Sequence, residues 1–379
     1  MIRQAWFLVF AALAFLTPGM PGQERIAANG AVLFERYSFD SGLPYSDVSE
    51  TTVPFTVTAP LGGRTLVTVS GGFTSIRLTG NEGSGFVDQE ISGLVDTEAR
   101  LTVELLPDRL NLLLTAAAPT GTEAFELEEG AVLSALSNEV IGFSTMNLGM
   151  GGRAGAGVVG AWPLGNMALG LAGSYTHSVA YSPVVGRPVE WKPGDEVRIR
   201  AGIEGTVAPE TYLRIAGIFA TRQEDEIDGE ASGGLGNQLH AYVAVNHRIQ
   251  ASALTLYLAN SYRSAPQVES TPVGAVRVPK GNILALGGKV EIPVTRVGRL
   301  IPTVEYRRLA EAPRDETGGG SLESAGSTLR LGSSFRLPIG SGTALVFEGS
   351  GLFGNVADPD GGDVGVSGFR GGLHLEVRR

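Results

Sequence analysis

In a chain without cysteine, acid–base and metal chemistry would depend first on the histidines. There are four, His177, His240, His247 and His374, and there is no cysteine. His240 and His247 are seven residues apart, so a regular strand places them on opposite faces and they make a poor metal-binding pair. His177 and Ser178 are adjacent, so their side chains also diverge and do not form the Ser–His pair of a hydrolase. We therefore predict no enzymatic activity, no metal site and no cofactor.

Carboxylates are concentrated in two short segments, 224–230 and 358–363. Both place oxygen atoms at alternate positions, a spacing that can bind a divalent cation or bridge lipopolysaccharide. Neither segment has a histidine beside it, so neither offers the carboxylate–histidine arrangement of a barrel protease. Solvated surface loops explain the same residues more simply.

Arginines recur at every second position of several stretches, opposite a row of apolar residues. In one stretch Val197, Ile199 and Ala201 alternate with Arg198 and Arg200. A period of two predicts β-strands with one apolar and one polar face. In a membrane barrel the apolar face meets lipid, where each arginine would cost about 2–4 kcal/mol, so the polar face lines the lumen. The predicted lumen-lining residues are Arg100, Glu104, Arg198, Arg200, Glu204, Arg248, Arg330 and Arg336.

These charged residues allow two interpretations. In the first, they form a polar pore that favours anions. In the second, they pair with carboxylates on neighbouring strands and stabilise the wall without contacting a solute. The sequence leaves both open.

Tight turns and longer polar insertions alternate between these stretches, as in outer-membrane barrels. The seven predicted tight turns are 61–64, 107–109, 163–166, 209–210, 250–252, 295–299 and 338–342. With a first strand at 31–40 and a last one at 364–378, these turns predict about 16 antiparallel strands, with about 14 as the fallback. The predicted fold is all-β: one transmembrane up-and-down β-barrel with both termini on the periplasmic side.

One insertion differs from the others. Glu123 to Val140 begins with acidic residues and continues with Val132, Leu133 and Leu136 near helical spacing, which predicts a short helix in the longest loop. The segment either folds into the lumen as a constriction or caps the outside, and we favour the lumen. The candidate constriction residues are Glu126, Glu128 and Glu129.

The first residues have the layout of a secretory signal peptide. Arg3 precedes an uncharged run, Ala5 to Leu16, which Pro18 and Gly19 interrupt. That run is too short to cross a bilayer as a helix. We predict a signal peptide over residues 1–23 and a single barrel domain over residues 24–379, located in the cell outer membrane.

The bulk composition excludes other classes of protein. Hydrophobic residues make up 43% of the chain and charged residues 18%, which argues against intrinsic disorder. The net charge is −10 and no basic patch is concentrated, so nucleic acid is not an expected partner. We expect contacts with outer-membrane lipid, lipopolysaccharide, a small-molecule solute and the barrel-insertion machinery. The residues that match the C-terminal insertion signal of bacterial barrels are Arg370, Gly372, Leu375 and Val377.

Three short motifs resemble those of a known family. They are Gly93-Leu94-Val95-Asp96 before a strand, Leu105-Leu106-Pro107 at a turn, and Pro119-Thr120-Gly121 after the next strand. Their order resembles the outer-membrane channels of meta-pathway phenol degradation, which are relatives of the long-chain fatty-acid transporters. The resemblance covers residues 90–180 and implies uptake of hydrophobic or aromatic molecules through a monomeric barrel. Only residues 23–29 precede the first predicted strand, which leaves no room for the N-terminal hatch of the fatty-acid transporters.

The leading hypothesis is therefore an outer-membrane channel for passive uptake of a small solute, narrowed by the 123–140 segment. The second hypothesis is a structural or interaction barrel without transport, whose loops bind lipopolysaccharide or a partner. A secreted or periplasmic β-sandwich is a third, but it does not explain the alternation of short and long connections.

Overall fold

The computed structural model describes residues 26–81, 87–122, 124–126, 129–145, 148–265, 279–295, 298–312, 320–358 and 362–378. The predicted signal peptide lies outside them. One helix, α1, at Gly130–Leu136, and nineteen strands occur in the described residues. The strands are β1 Ala27–Phe39, β2 Tyr45–Gly62, β3 Thr65–Gly80, β4 Gln89–Leu106, β5 Leu110–Ala118, β6 Arg153–Leu164, β7 Met167–Ser178, β8 Trp191–Lys192, β9 Glu196–Ala208, β10 Thr211–Arg222, β11 Glu226–Ile227, β12 Glu230–Ala231, β13 Gln238–Ile249, β14 Ser252–Arg263, β15 Gly281–Pro293, β16 Arg299–Glu311, β17 Glu323–Gly340, β18 Thr343–Ala357 and β19 Asp363–Arg378.

Sixteen of these strands close into one antiparallel barrel, which confirms the predicted fold and strand count. Each barrel strand pairs with its neighbours along the chain, and β1 pairs with both β2 and β19. Ala27 lies opposite Arg378 in the β1–β19 ladder, so the first and last strands begin and end at the same end of the barrel. Closure satisfies the backbone hydrogen bonds of every barrel strand on both sides, which is what a lipid environment requires.

The seven predicted tight turns join consecutive barrel strands at the end of the barrel that holds Ala27 and Arg378. Three of them contain a non-glycine residue in the left-handed conformation, Asp108 (φ 57°), Glu210 (φ 60°) and Gln250 (φ 56°). The connections at the opposite end, which the sequence predicts to be external, are longer, except for two links of five residues. One of them is 358–362, between β18 and β19. The other is 40–44, between β1 and β2.

The outer face of the barrel is apolar. On β14, Leu256 and Leu258 are 52% and 42% exposed, whereas Tyr257 between them points into the lumen and donates to Glu305 of β16. Other outward, exposed side chains are Leu171, Ile199, Ile215, Val243, Leu286, Leu331 and Phe353. Such a surface would promote aggregation in water, but it is the one that a lipid bilayer accommodates. A closed barrel with this outer face has the properties of a transmembrane β-barrel.

The three short strands β8, β11 and β12 form a separate sheet among the external loops, in the order β12-β11-β8. Lys192 of β8 reaches Glu226 of β11, with 3.1 Å between Nζ and Oε1. This sheet joins the loop 179–195 to the loop 223–237. Parts of the external surface are therefore ordered by loop-to-loop pairing.

Candidate functional site

The connection between β5 and β6 folds into the lumen. We call the described residues of 119–152 the inner segment. Its helix α1 lies within the predicted helical stretch, and Val132 and Leu136 of this helix have no exposed surface. They belong to a buried apolar cluster with lumen-facing side chains of the wall: Tyr37, Val48, Ile76, Leu78, Ile91, Leu352, Val364 and Val366. The inner segment therefore occupies the lumen beside β1–β4 and β18–β19.

Side chains of β16, β17 and β19 hold one edge of the inner segment by its backbone. They donate to four consecutive carbonyl oxygens. The bonds run from Arg307 to Glu139 (3.4 Å), from Thr328 to Val140 (2.9 Å), from Arg330 to Ile141 (2.8 Å) and from Arg370 to Gly142 (2.7 Å). Because hydrogen bonds with a charged donor are stronger than neutral ones, the three arginines fix the position of this edge.

Asp96 of β4 holds the two ends of the inner segment together. Its carboxylate accepts hydrogen bonds from the backbone N–H groups of Gly121 (3.1 Å) and Met150 (2.8 Å). Its own N–H donates to the carbonyl oxygen of Leu148 at 3.1 Å. Gly121 is required here, because a Cβ atom would lie 2.2 Å from the Leu148 carbonyl oxygen. Two of the motifs that suggested a family resemblance therefore have a structural role in this chain.

Two glutamates lie opposite each other on the wall that the inner segment covers. Glu35 of β1 and Glu50 of β2 are register partners, and each is 1% exposed. The Glu35 carboxylate accepts from Arg370 and from the backbone N–H of Ser144, at 2.7 Å for Ser144. The β1–β2 wall is thus connected to the inner segment by a buried polar contact.

Strands β5–β10 present small or polar side chains to the lumen and leave space beside the inner segment. Ala161, Gly170, Gly202 and Ala216 are successive register partners across β6, β7, β9 and β10. A cavity of about 520 Å³ lies between Met150 of the inner segment and the wall from β2 to β10. The charged side chains that line it are Glu98, Arg100, Arg153, Glu196, Arg198 and Arg222.

Both acids of the cavity have an arginine partner. Glu98 pairs with Arg153 at 3.1 Å, and Glu196 lies 2.6 Å from Arg198 and 3.3 Å from Arg222. Four arginines therefore face two glutamates, which gives the cavity an excess of positive charge. A lumen of this kind attracts anions more than cations.

The strand register places the predicted lumen-lining residues on one face, the lumen face of the wall. Their contacts differ. Arg198, Arg248 and Arg336 pair with Glu196, Glu210 and Glu376, at 2.6, 3.8 and 2.8 Å, and Glu204 pairs with Arg214. Glu104 accepts from the Asp108 N–H in a tight turn. Arg330 holds the inner segment, and within the described residues Arg100 and Arg200 have no ion pair. Their contact with a solute stays a prediction.

Two of the predicted constriction residues, Glu126 and Glu129, lie just before α1. Glu126 is exposed, and the Glu129 carboxylate accepts from the Glu126 N–H at 2.8 Å. Glu128 lies outside the described residues. The residues that fix the inner segment, Asp96, Thr328 and Arg370, were not among the predicted site residues. The alternation of apolar and polar residues in β17 and β19 would have identified Thr328 and Arg370 as lumen-facing residues.

The polar clusters outside the lumen have structural contacts. Asp195, in the loop before β9, accepts from Tyr175, from His177 Nδ1 at 2.9 Å and from the Ser178 N–H at 3.1 Å. Burial alone would raise the pKa of Asp195, but the hydrogen bonds from His177, Tyr175 and Ser178 outweigh it and lower the pKa to about 2. Ser178 belongs to the lumen face and His177 to the outer face, so this cluster does not contain a Ser–His pair.

In the acidic loop, Asp225 accepts from the Gly194 N–H at 2.7 Å, and burial raises the pKa of its carboxyl group. Asp228 accepts from the Glu190 N–H at 2.8 Å. Among the described residues no group of three or more acids and histidines is placed to hold a metal ion. These carboxylates connect loops to one another.

In the described residues, no helix has the length and apolarity needed to cross a membrane. No protein-family model matches the chain, and no curated protein sequence matches it. Membership in the phenol-degradation or fatty-acid transporter family is therefore not shown.

Solved structures of outer-membrane proteins are similar over most of their length. OccK11 (OpdR) of Pseudomonas aeruginosa is 13% identical, with a TM-score of 0.47, over 95% of this chain and 99% of that chain. OccK5 (OpdH) of the same organism is 10% identical, with a TM-score of 0.48, over 94% and 98%. The channel DcaP of Acinetobacter baumannii is 12% identical, with a TM-score of 0.42, over 96% and 100%.

Proposed function

We propose that this barrel is a passive diffusion channel that admits small hydrophilic solutes, preferentially anions, through the outer membrane. The observation that carries the proposal is the cavity of about 520 Å³ between Met150 of the inner segment and the lumen wall from β2 to β10. A 16-strand barrel is too wide for its own side chains to fill. The inner segment occupies part of that width and leaves the rest as a passage.

The shape of the lumen supports selection by size. The inner segment is fixed at both ends by Asp96 and along one edge by Arg330 and Arg370. A segment held by this many bonds narrows the passage without moving aside for each solute. A second cavity, of about 360 Å³, is lined by small residues of β7 and β9 such as Gly170 and Gly202, so free space also lies on this side of the barrel.

The residues that line the cavity favour a hydrophilic solute. The family resemblance, in contrast, implies a hydrophobic or aromatic one. Besides its charged side chains, the cavity is lined by hydroxyl groups, among them Thr56, Ser70, Thr115, Ser174 and Thr176. A hydrophobic molecule would have to displace water from these groups without replacing their hydrogen bonds. The excess of arginines supports a preference for anions.

Liposome swelling tests the proposal. Vesicles that contain the purified barrel are mixed with neutral and anionic solutes of increasing size, and empty vesicles are the control. We expect swelling rates that fall steeply with solute size, and a reversal potential in a KCl gradient that indicates chloride preference. Swelling no faster than in empty vesicles would instead favour the structural or interaction barrel.

A further inference from the structure

We propose that Glu50 is a proton-controlled latch for the inner segment: protonated Glu50 keeps the segment seated against the wall, and ionised Glu50 releases it and widens the passage. This inference rests on the proposed channel function, because it describes regulation of the same passage. It starts from the different surroundings of the two buried glutamates on β1 and β2.

Glu35 has its charge fully compensated. Arg370 donates two hydrogen bonds to Glu35 Oε2, at 2.7 and 3.0 Å, and the Tyr37 hydroxyl donates to the same atom at 2.7 Å. The Ser144 N–H of the inner segment donates to Oε1 at 2.7 Å. A carboxylate with four donors, two of them from one guanidinium, is stable in its ionised form at a buried position.

Glu50 has no comparable set of partners. The Thr52 hydroxyl donates to its Oε1, but its Oε2 is buried and has no hydrogen-bond partner in the described part of the chain. The carboxylate that lies opposite in the register belongs to Glu35. An ionised Glu50 would be a buried, uncompensated charge beside a like charge, which is strongly unfavourable. With the segment seated, Glu50 therefore carries a proton.

The other elements around Glu50 do not supply a counter-charge. Its partner on β3 is Ile76. Arg370 of β19 is engaged by Glu35, and Arg330 of β17 donates to the Tyr37 hydroxyl at 3.2 Å and to the Ile141 carbonyl at 2.8 Å. The described residues on that side also include Glu348 of β18 and His374 of β19, whose side chains are 3.1 Å apart.

The inner segment itself covers Glu50. Thr145 lies beside Glu50, where its hydroxyl and backbone N–H partly stabilise an ionised carboxylate but do not offset its burial. The Thr145 hydroxyl is 3.1 Å from that of Thr52. When Glu50 ionises, the most direct relief is for Ser144 and Thr145 to move away so that water reaches both carboxylates. Because the seated state binds the proton and the displaced state does not, lower pH favours the narrow passage and higher pH the wide one.

Single-channel recordings of the full barrel in planar bilayers test the latch. The conductance is measured from about pH 5 to about pH 8.5, a range in which carboxylic acids in apolar surroundings ionise. We expect the wild-type conductance to rise by about twofold across this range, and Glu50→Gln, which mimics the protonated acid, to keep the low value throughout. Glu376→Gln, which removes a lumen carboxylate paired with Arg336, is the matched control and should keep the rise.

A second measurement does not require ion current. The chain has no cysteine, so Ala135→Cys places a unique thiol in α1, where Ala135 is 5% exposed. The rate at which a maleimide labels this thiol is measured in vesicles at increasing pH. The rate should rise more steeply with pH when Glu50 is present than in the Glu50→Gln variant. The comparison cancels the pH dependence of the thiol itself.

The outcomes separate the two proposals. If conductance is absent but labelling depends on Glu50, the channel function fails and the latch stands. If conductance is normal and both pH profiles are the same with Glu50 and with Glu50→Gln, the latch is overturned and the channel function stands. An equal loss of the pH dependence in Glu376→Gln would also overturn the latch, because it would assign the effect to lumen charge in general.

Discussion

The Nη2 atom of Arg370 lies 2.7 Å from the carbonyl oxygen of Gly142, which joins the last strand of the barrel to the segment inside it. The same guanidinium binds Glu35 on the first strand. Arg370 therefore connects the β1–β19 seam and the inner segment at one point. The position of the inner segment therefore depends on contacts with strands on both sides of this seam.

Removal of Arg330 should widen the passage. Arg330→Met keeps most of the side-chain volume but loses the hydrogen bonds to Tyr37 and Ile141, which weakens the attachment of the inner segment by about 1–3 kcal/mol. We expect a single-channel conductance about twofold above that of the wild type, since the inner segment occupies part of the lumen.

Arg336→Met is the matched control for Arg330→Met. Arg336 lies on the same strand and the same face, but it pairs with Glu376 and does not contact the inner segment. Its conductance should stay near that of the wild type. Equal increases in the two variants would show that loss of lumen charge, and not release of the segment, is responsible.

Gly142 should not tolerate a side chain. It has φ 64°, and an added Cβ atom would meet the Arg307 guanidinium at 2.0 Å. Gly142→Ala should therefore destabilise the folded barrel by about 1–2 kcal/mol in urea unfolding from vesicles, because alanine disfavours the left-handed conformation. Gly130→Ala is the control, since nothing lies within 4 Å of its added Cβ, and a loss as large in this variant would contradict the explanation.

Adjacent positions on β7 test which face meets lipid. Leu171 is 45% exposed on the outer face, whereas Ala172 faces the lumen. Leu171→Arg should lower the free energy of unfolding from lipid vesicles by about 2–4 kcal/mol. Ala172→Arg should cost much less, because its guanidinium remains in water. A larger loss for Ala172→Arg would contradict the assignment of the faces.

Asp195 should make the external end of the barrel sensitive to acid. Its pKa in the folded protein is lowered to about 2, below the value of about 3.9 for a free aspartate. Its hydrogen bonds therefore stabilise the fold at neutral pH, and this contribution is lost as the pH falls from about 4 to about 2. Asp195→Asn should lower the thermal midpoint at neutral pH, and the difference from the wild type should shrink near pH 2. A difference that is constant with pH would refute this assignment.

The architecture of the barrel could be predicted from the sequence because it depends on local signals. Alternation of Val197, Ile199 and Ala201 with Arg198 and Arg200 identified a strand and its two faces, and the tight turns fixed the number of strands. The apolar residues around Leu133 identified the helix, since they need a partner surface and the lumen wall supplies it.

The details of the site could not be predicted in the same way. On β1 the lumen face holds Tyr37 and Phe39, which are buried against or near the inner segment, so the rule that places polar residues inside does not apply there. The bonds from Arg330 and Arg370 end on backbone carbonyl oxygens, which every residue has. No side-chain pattern marks such an acceptor. The pairing of Glu35 with Glu50 depends on a strand register that the sequence leaves open.

The most direct test of solute passage along the β5–β10 side uses the absence of cysteine in the natural chain. Ala172→Cys places one thiol on the lumen face of this wall. Planar-bilayer recordings are made before and after addition of a negatively charged methanethiosulfonate reagent. We predict a steady ion current that falls by about half on modification, because the added group occupies the passage and repels anions. The absence of current, or a current that modification of the thiol leaves unchanged, would contradict the proposed channel.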